Sequence, residues 1–186
     1  MKRVTEPLAA MGADIKTTEK GTAPLEITGR AGQLQAINYI MPMASAQVKS
    51  CLLLAGMYAQ GETSVSEPAP TRDHTERMLS GFSYPVKQQG SKVSITAEGK
   101  LTATDIDVPS DISSAAFFLV GASIAPGSDI TLRHVGINPT RTGVISILRL
   151  MGASIEILNE RVVGGEPVAD LRVVFKPLKG IDIPEE

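Results

Sequence analysis

The stretch Pro42-Met43-Ala44-Ser45-Ala46-Gln47 gathers polar residues at the start of an otherwise apolar helical segment. At a helix amino end the first backbone N–H groups have no intrahelical acceptor, and the macrodipole is positive, so a phosphate or carboxylate is favoured there. Ser45 would add a hydroxyl donor and Gln47 an amide donor. The same residues fit plain capping, because a serine at a helix start commonly satisfies backbone amides. Taken by themselves, the residues leave both readings open. Arg72 precedes a second helical stretch, where its guanidinium could grip an anion in bidentate fashion or simply face solvent. Asp73-His74-Thr75-Glu76 has the form of a capping box, with Asp73 as N-cap and Glu76 at the third helical position. His74 then falls in the first turn and reads as a surface or satisfied histidine. Asp111, opening the next apolar helix, reads as an N-cap, and an acid at that point disfavours an incoming anion. His134, Glu156 and Glu160 have no partner identifiable from the sequence.

The elements that would carry these residues repeat. Pro70-Thr71-Arg72 recurs 69 positions later as Pro139-Thr140-Arg141, and Met11-Gly12-Ala13-Asp14-Ile15 returns 140 positions later as Met151-Gly152-Ala153-Ser154-Ile155. Each marker is preceded by a long apolar helix, residues 44–59 or 111–125, and by a short strand, 37–40 or 105–108. A glycine turn releases an alternating strand, 63–66 or 129–132. A second helix follows the marker. A hairpin closes the unit, with strands at 85–88 and 92–96, or at 154–158 and 171–175, the latter joined by an enlarged loop around Gly164-Gly165-Glu166-Pro167. The expected class is mixed α/β, built from repeated β-α-β-α-β-β units. The long helices are apolar almost all round and must be enclosed by other elements. The chain opens at the tail of one unit, so it is expected to be an internal piece of a longer protein.

Composition narrows the function. With 186 residues, 42% hydrophobic and 20% charged, the chain is an ordinary globular sequence. Eighteen basic against twenty acidic residues leave a formal charge of −2 and no basic stripe for nucleic acid or a membrane surface. The N-terminus lacks the apolar core of a secretory signal. The single cysteine, Cys51, excludes an internal disulfide and fits a reducing cytoplasm. Two separated histidines and one cysteine make no convincing zinc site, and no phosphate loop or dinucleotide fingerprint is present.

The segments "PMASAQVKSCLLLAG", "PTRDHTERMLSGF", "DVPSDISSAAFFLV", "INPTRTGVI" and "LRLMGASIE" together resemble the bacterial 5-enolpyruvylshikimate-3-phosphate synthase family, 3-phosphoshikimate 1-carboxyvinyltransferase. The "SAQ" and "RDHTE" forms are most similar to the class II, glyphosate-tolerant branch. The resemblance implies two lobes assembled from six βαβαββ units, with residues 1–104 in the N-terminal lobe and 105–186 in the C-terminal one. It implies transfer of the enolpyruvyl group of phosphoenolpyruvate to the 5-hydroxyl of shikimate 3-phosphate with release of phosphate, without metal or organic cofactor. It assigns Ser45, Ala46, Gln47 and Arg72 to shikimate 3-phosphate, and Gln47 also to the phosphoenolpyruvate side. It places no catalytic residue in this chain: Leu178 to Glu186 resembles only the lead-in to the segment carrying the family's acid–base aspartate. An isolated chain of this kind is expected to be inactive, to expose apolar surface and to self-associate. A fragment of the sister family acting on UDP-N-acetylglucosamine, and a non-catalytic assembly module of the same fold, are the alternatives.

Overall fold

A computed structural model describes residues 1–29, 32 and 34–183. The last three residues of the Leu178–Glu186 lead-in therefore lie outside the described residues. The chain forms two compact units, Met1–Ala103 and Thr104–Glu186.

The first unit begins with helix α1 (Lys2–Ala10) and a small antiparallel pair, β1 (Asp14–Lys16) with β2 (Glu26–Thr28). It continues through β3 (Asn38–Ile40), α2 (Ala46–Gly56), β4 (Glu62–Ser66), α3 (His74–Gly81), β5 (Lys87–Gln89) and β6 (Lys92–Thr96). This is the expected β-α-β-α-β-β order. The four strands pair as β3-β4-β6-β5, with β3 parallel to β4 and the rest antiparallel. Val48, Leu52 and Leu53 of α2 meet Val65, Val93 and Ile95 of the sheet in one buried cluster, joined by Met11, Leu79 and Tyr84. Gly56 lets α2 approach β4 closely: a Cβ there would stand 2.7 Å from the Cβ of Thr63.

The second unit runs α4 (Ile112–Ile124), β7 (Asp129–Gly136), a 3-10 turn (Pro139–Arg141), α5 (Gly143–Leu150), β8 (Ser154–Val163) and β9 (Glu166–Val174), with strand order β7-β9-β8. Its core is Leu119 and Ala115 of α4, Ile145 and Leu148 of α5, and Leu171 and Val173 of β9.

Two expectations for this unit fail. Residues 105–108 form no strand; the chain reaches the β7 backbone just after them, at a bridge between Ser110 and Val135. The reason is a bulge in β7 between Leu132 and Val135, where His134 takes a positive φ of 54° and the ladder a parallel strand would need is broken. Nor is there an enlarged hairpin loop. Val163 pairs with Glu166, so Gly164 and Gly165 form a two-residue turn at φ 57° and 87°, as a tight hairpin requires. A second bulge, between Leu158 and Arg161 of β8, brings Asn159 to φ 53°. The Asp170 carboxylate, on β9 between the two, accepts the His134 N–H at 2.8 Å and the Asn159 side-chain amide at 2.9 Å.

The repeat is visible in hydrogen bonds. After α1, α3 and α5 the chain reverses through Gly12, Ser83 and Gly152, all at positive φ, 90°, 62° and 97°. In each case the next N–H returns into the helix: Ala13 to Leu8 O, Tyr84 to Leu79 O, Ala153 to Leu148 O. The carbonyl before each reversal (Met11, Phe82, Met151) accepts a later N–H, from Gln35, Thr102 or Lys179.

The long helices present bare apolar faces. Phe117 is 81% and Phe118 61% exposed on α4, and Leu54 on α2 and Tyr58 just beyond it are exposed as well. No helix among the described residues is long and apolar enough to cross a membrane.

Candidate anion-binding site

Ser45 is the N-cap of α2, in extended conformation, and its Oγ accepts the Val48 N–H at 3.4 Å. The first helical bond of the main chain is Lys49 N–H to Ser45 O, 3.0 Å. The amides of Ala46 and Gln47 precede it and point out of the helix end. Capping and anion binding are compatible here. The Ser45 oxygen accepts from Val48 while its own proton remains available to a ligand oxygen. Ser45 is nearly buried, Ala46 partly so, and Gln47 exposed. Cys51, one turn further, is partly buried, and burial pushes its thiol up from the ordinary value.

Arg72 lies in the loop between β4 and α3. It is exposed, and among the described residues its guanidinium makes no hydrogen bond or ion pair. His74 sits in the first turn of α3, partly buried.

The capping-box expectation is overturned. Asp73 occupies the N-cap position of α3 without a side-chain cap bond, and its carboxylate takes the Arg77 Nε at 2.8 Å. Glu76 does not reach back to the N-cap. It is buried against Lys49 of α2, Oε1 to Nζ 2.7 Å. The same ammonium reaches Glu67 Oε1 at 3.2 Å. Glu67 in turn accepts the Thr71 hydroxyl at 2.6 Å and the Thr71 N–H at 3.4 Å. Next to this cluster Thr75 donates to Ser50 Oγ at 2.7 Å. The lysine side chain is 2% exposed, and those of Glu76 and Glu67 are 7% and 10% exposed. Sequence reasoning missed Lys49. The available signal was a lysine inside the Val48–Leu54 run, with acids at 67 and 76 on either side of the Pro-Thr-Arg marker.

The second unit supplies an internal comparison. Arg141, in the marker position of Arg72, reaches the amino end of α4. It pairs with the N-cap Asp111 at 3.0 Å and donates to Ser113 Oγ. The Ser113 backbone N–H, with Arg141 contributing, holds the Asp111 carboxyl below the ordinary carboxylate range. Neither first-turn amide makes a full cap bond to that carboxylate. The marker arginine of this unit is thus satisfied by a carboxylate where the first unit has Ser45.

The partners missing from the sequence reading also lie in this unit. His134 Nδ1 meets Arg161 at 2.6 Å, and its Nε2 lies 3.3 Å from Asp107; Arg172 joins Glu156 to Asp129. The Arg172 cluster is exposed, whereas His134 is half-buried between Arg161 and Asp107. Among the described residues no group of three His, Cys, Asp or Glu could hold a metal ion.

The family of EPSP synthase, 3-phosphoshikimate 1-carboxyvinyltransferase, matches residues 1–185. The 3-phosphoshikimate 1-carboxyvinyltransferase of Methylococcus capsulatus is 71% identical, over 100% of this chain and 42% of its own length. That of Alkalilimnicola ehrlichii is 68% identical, over 100% of this chain and 41% of its own length. Among solved structures, an EPSP synthase from Acinetobacter baumannii superimposes with a TM-score of 0.89 at 60% identity, covering 99% of this chain and 42% of that one. The enolpyruvyl transferase NikO from Streptomyces tendae shares the fold, with a TM-score of 0.68 at 12% identity, over 95% of this chain and 43% of its own. The chain therefore spans about two fifths of the length of these relatives. On the extent and identity of these matches, the chain belongs to the EPSP synthase family.

Proposed function

We propose that this chain supplies part of the shikimate 3-phosphate site of an enolpyruvyl transferase, the enzyme that joins shikimate 3-phosphate to phosphoenolpyruvate and releases phosphate. Residues 1–104 belong to its N-terminal lobe and 105–186 to the C-terminal one. The sugar phosphate sits at the amino end of α2. The Ser45 hydroxyl and the Ala46 and Gln47 amides donate to its oxygens, and Arg72 closes over it as a planar two-pronged donor. Gln47, exposed at the same end, also faces phosphoenolpyruvate. The chain holds no catalytic acid or base of its own and is inactive alone.

The observation that carries this reading is the pairing of Arg141 with Asp111 at 3.0 Å, set against a neutral Ser45 and an Arg72 that makes no ion pair among the described residues. One repeat holds its own anion at the helix end. The other has the marker arginine and a neutral helix end, with no carboxylate pairing that arginine among the described residues, which suits a phosphate ligand. A cytoplasmic location goes with this reading, supported by a single thiol and no disulfide. The apolar faces of α2 and α4 lead the isolated chain to self-associate.

Saturation-transfer NMR with shikimate 3-phosphate, and with a UDP-N-acetylglucosamine control, tests the site. Binding of the shikimate ester, weakened but still measurable in Arg72→Ala, is expected. Binding of the UDP-sugar instead, or indifference to Arg72, would overturn it. Phosphate release from the two substrates is expected only when the remaining segments of a full-length relative are supplied.

A further inference from the structure

We propose that Lys49 is a positioning residue: through Glu67 and Thr71 it fixes the loop that aims Arg72 at the amino end of α2. The inference deepens the shikimate 3-phosphate reading and rests on it. Lys49 stands four residues past Ser45, about 6 Å of helix rise. Its ammonium reaches Glu67 at 3.2 Å, and Glu67 holds both the hydroxyl and the N–H of Thr71, the residue immediately before Arg72. The same ammonium holds Glu76 at 2.7 Å, and so anchors α3 on the far side of the loop. Arg72 is therefore carried on a segment tied at both ends to one atom of α2.

The second unit shows that the fold does not need these charges. Counted from the N-caps, Lys49 corresponds to Ala115, and counted from the Pro-Thr-Arg marker, Glu76 corresponds to Ile145 and Glu67 to Gly136. Ala115 and Ile145 are ordinary core residues. There Thr140 is held by a neutral group, the Asn138 side-chain oxygen, at 2.9 Å from its N–H and 2.7 Å from its hydroxyl. Arg141 is then oriented by Asp111 directly. A buried ion cluster is weak support for stability, because desolvation offsets much of the attraction. Here it occurs in the repeat whose arginine has no carboxylate to orient it among the described residues. Its role is to hold that arginine in place before the ligand arrives, which reduces the ordering cost of binding.

The test uses Thr71→Val, which removes the 2.6 Å hydroxyl bond to Glu67, keeps only the longer N–H bond at 3.4 Å and leaves both ion pairs of Lys49 in place, together with Glu67→Gln and Lys49→Met. Titration with shikimate 3-phosphate is measured in wild-type and Arg72→Ala backgrounds. Thr71→Val is expected to weaken binding about tenfold in the first and by less than twofold in the second, since its effect passes through Arg72. An equal loss in both backgrounds, or no loss in either, would refute the positioning role. Hydrogen exchange keeps the test independent of ligand and of the function assigned above. The Thr71 amide should exchange at least tenfold faster in Glu67→Gln and Lys49→Met, with Leu52 and Leu53 amides of α2 unchanged. Unaltered Thr71 protection overturns the proposal even if the ligand binds. Absence of shikimate 3-phosphate binding by the wild type, with faster Thr71 exchange in the variants, sinks the substrate reading and leaves the loop anchor standing.

Discussion

Replacing Ser45 by aspartate copies into the first repeat what the second already has, and its effects on stability and binding should run in opposite directions. Aspartate caps a helix about as well as serine. Arg72 then gains the partner that Arg141 finds in Asp111 at 3.0 Å. With Arg72 at the surface, solvent screening keeps such a pair to about 0–1 kcal/mol, so Ser45→Asp should melt within about 1 kcal/mol of the wild type. Binding should suffer far more. A carboxylate about 4 Å from a phosphate oxygen, at an effective dielectric near 20, repels each unit of ligand charge by roughly 4 kcal/mol. One unit of charge alone corresponds to about a thousandfold, and a phosphate monoester carries between one and two near neutral pH, so the lost affinity for shikimate 3-phosphate is at least about a thousandfold. Ser45→Ala should behave in the reverse sense. It gives up the cap to Val48, costing about 1 kcal/mol of stability, yet removes one donor and adds no repulsion. Isothermal titration at fixed ionic strength, paired with thermal melts, reads both quantities. The reasoning is refuted if Ser45→Asp binds within tenfold of the wild type, or if Ser45→Ala loses more affinity than Ser45→Asp.

Other outcomes follow from the packing and the charges. Ser83 fills at φ 62° a reversal that the other two repeats make with Gly12 and Gly152, so Ser83→Gly should stabilise the first unit by up to about 1 kcal/mol, read as a raised melting temperature. Gly56→Ala would press a methyl to 2.7 Å from Thr63 Cβ and 2.9 Å from its Oγ1. Overpacking of about 1–3 kcal/mol, against about 1 kcal/mol of better helix propensity, predicts a net loss measurable by urea unfolding. Three carboxyls of the second unit are held below their ordinary value: Asp111 by the Ser113 amide, Asp129 by Arg172, and Asp170 by the Asn159 side chain and the His134 N–H. The folded unit binds these protons less readily than the unfolded chain. Their stabilisation is complete above the usual carboxylate range and is lost as pH falls through the lowered folded values. Asp129→Asn should lower the melting temperature at pH 6, and the difference from the wild type should shrink as the pH is taken down through the lowered folded value. Replacing Phe117 and Phe118 by serine should reduce concentration-dependent association in sedimentation velocity without unfolding α4.

The repeat made most of the fold legible, because it ties position to position. Pro70-Thr71-Arg72 and Pro139-Thr140-Arg141 fix the phase of the two units, and β3 to β6 with α2 and α3 follow from apolar spacing, glycine turns and that marker, whereas α1, β1 and β2 carry no such signal. What escaped depended on pairings between distant residues. A lysine in an apolar helix reads as an interruption until Glu67 and Glu76 are seen to converge on it, and no local rule couples positions so far apart. The same convergence explains the failed capping box. Asp73 and Glu76 are correctly spaced, but burial offered Glu76 an ammonium, a stronger partner than a backbone amide. Residues 105–108 alternate like a strand, yet their neighbour β7 is interrupted at His134, where a positive φ is uncommon enough for any non-glycine residue that the sequence does not announce it. Ser45 was placed correctly by local chemistry, since the N-cap depends on residues within one turn of itself.

The paired bulges of the three-stranded sheet bear on how such a chain behaves at high concentration. Flat strand borders invite another chain to dock alongside and extend the ladder without limit, the route to fibrils. Here both bordering strands, β7 and β8, buckle where they pass the same stretch of β9, and Asp170 locks the two distortions from the centre. An incoming strand meets a broken row of amides and carbonyls on either border of this sheet. Contacts between copies of this unit then fall to the phenylalanines of α4, giving globular, dilution-reversible clusters in preference to filaments.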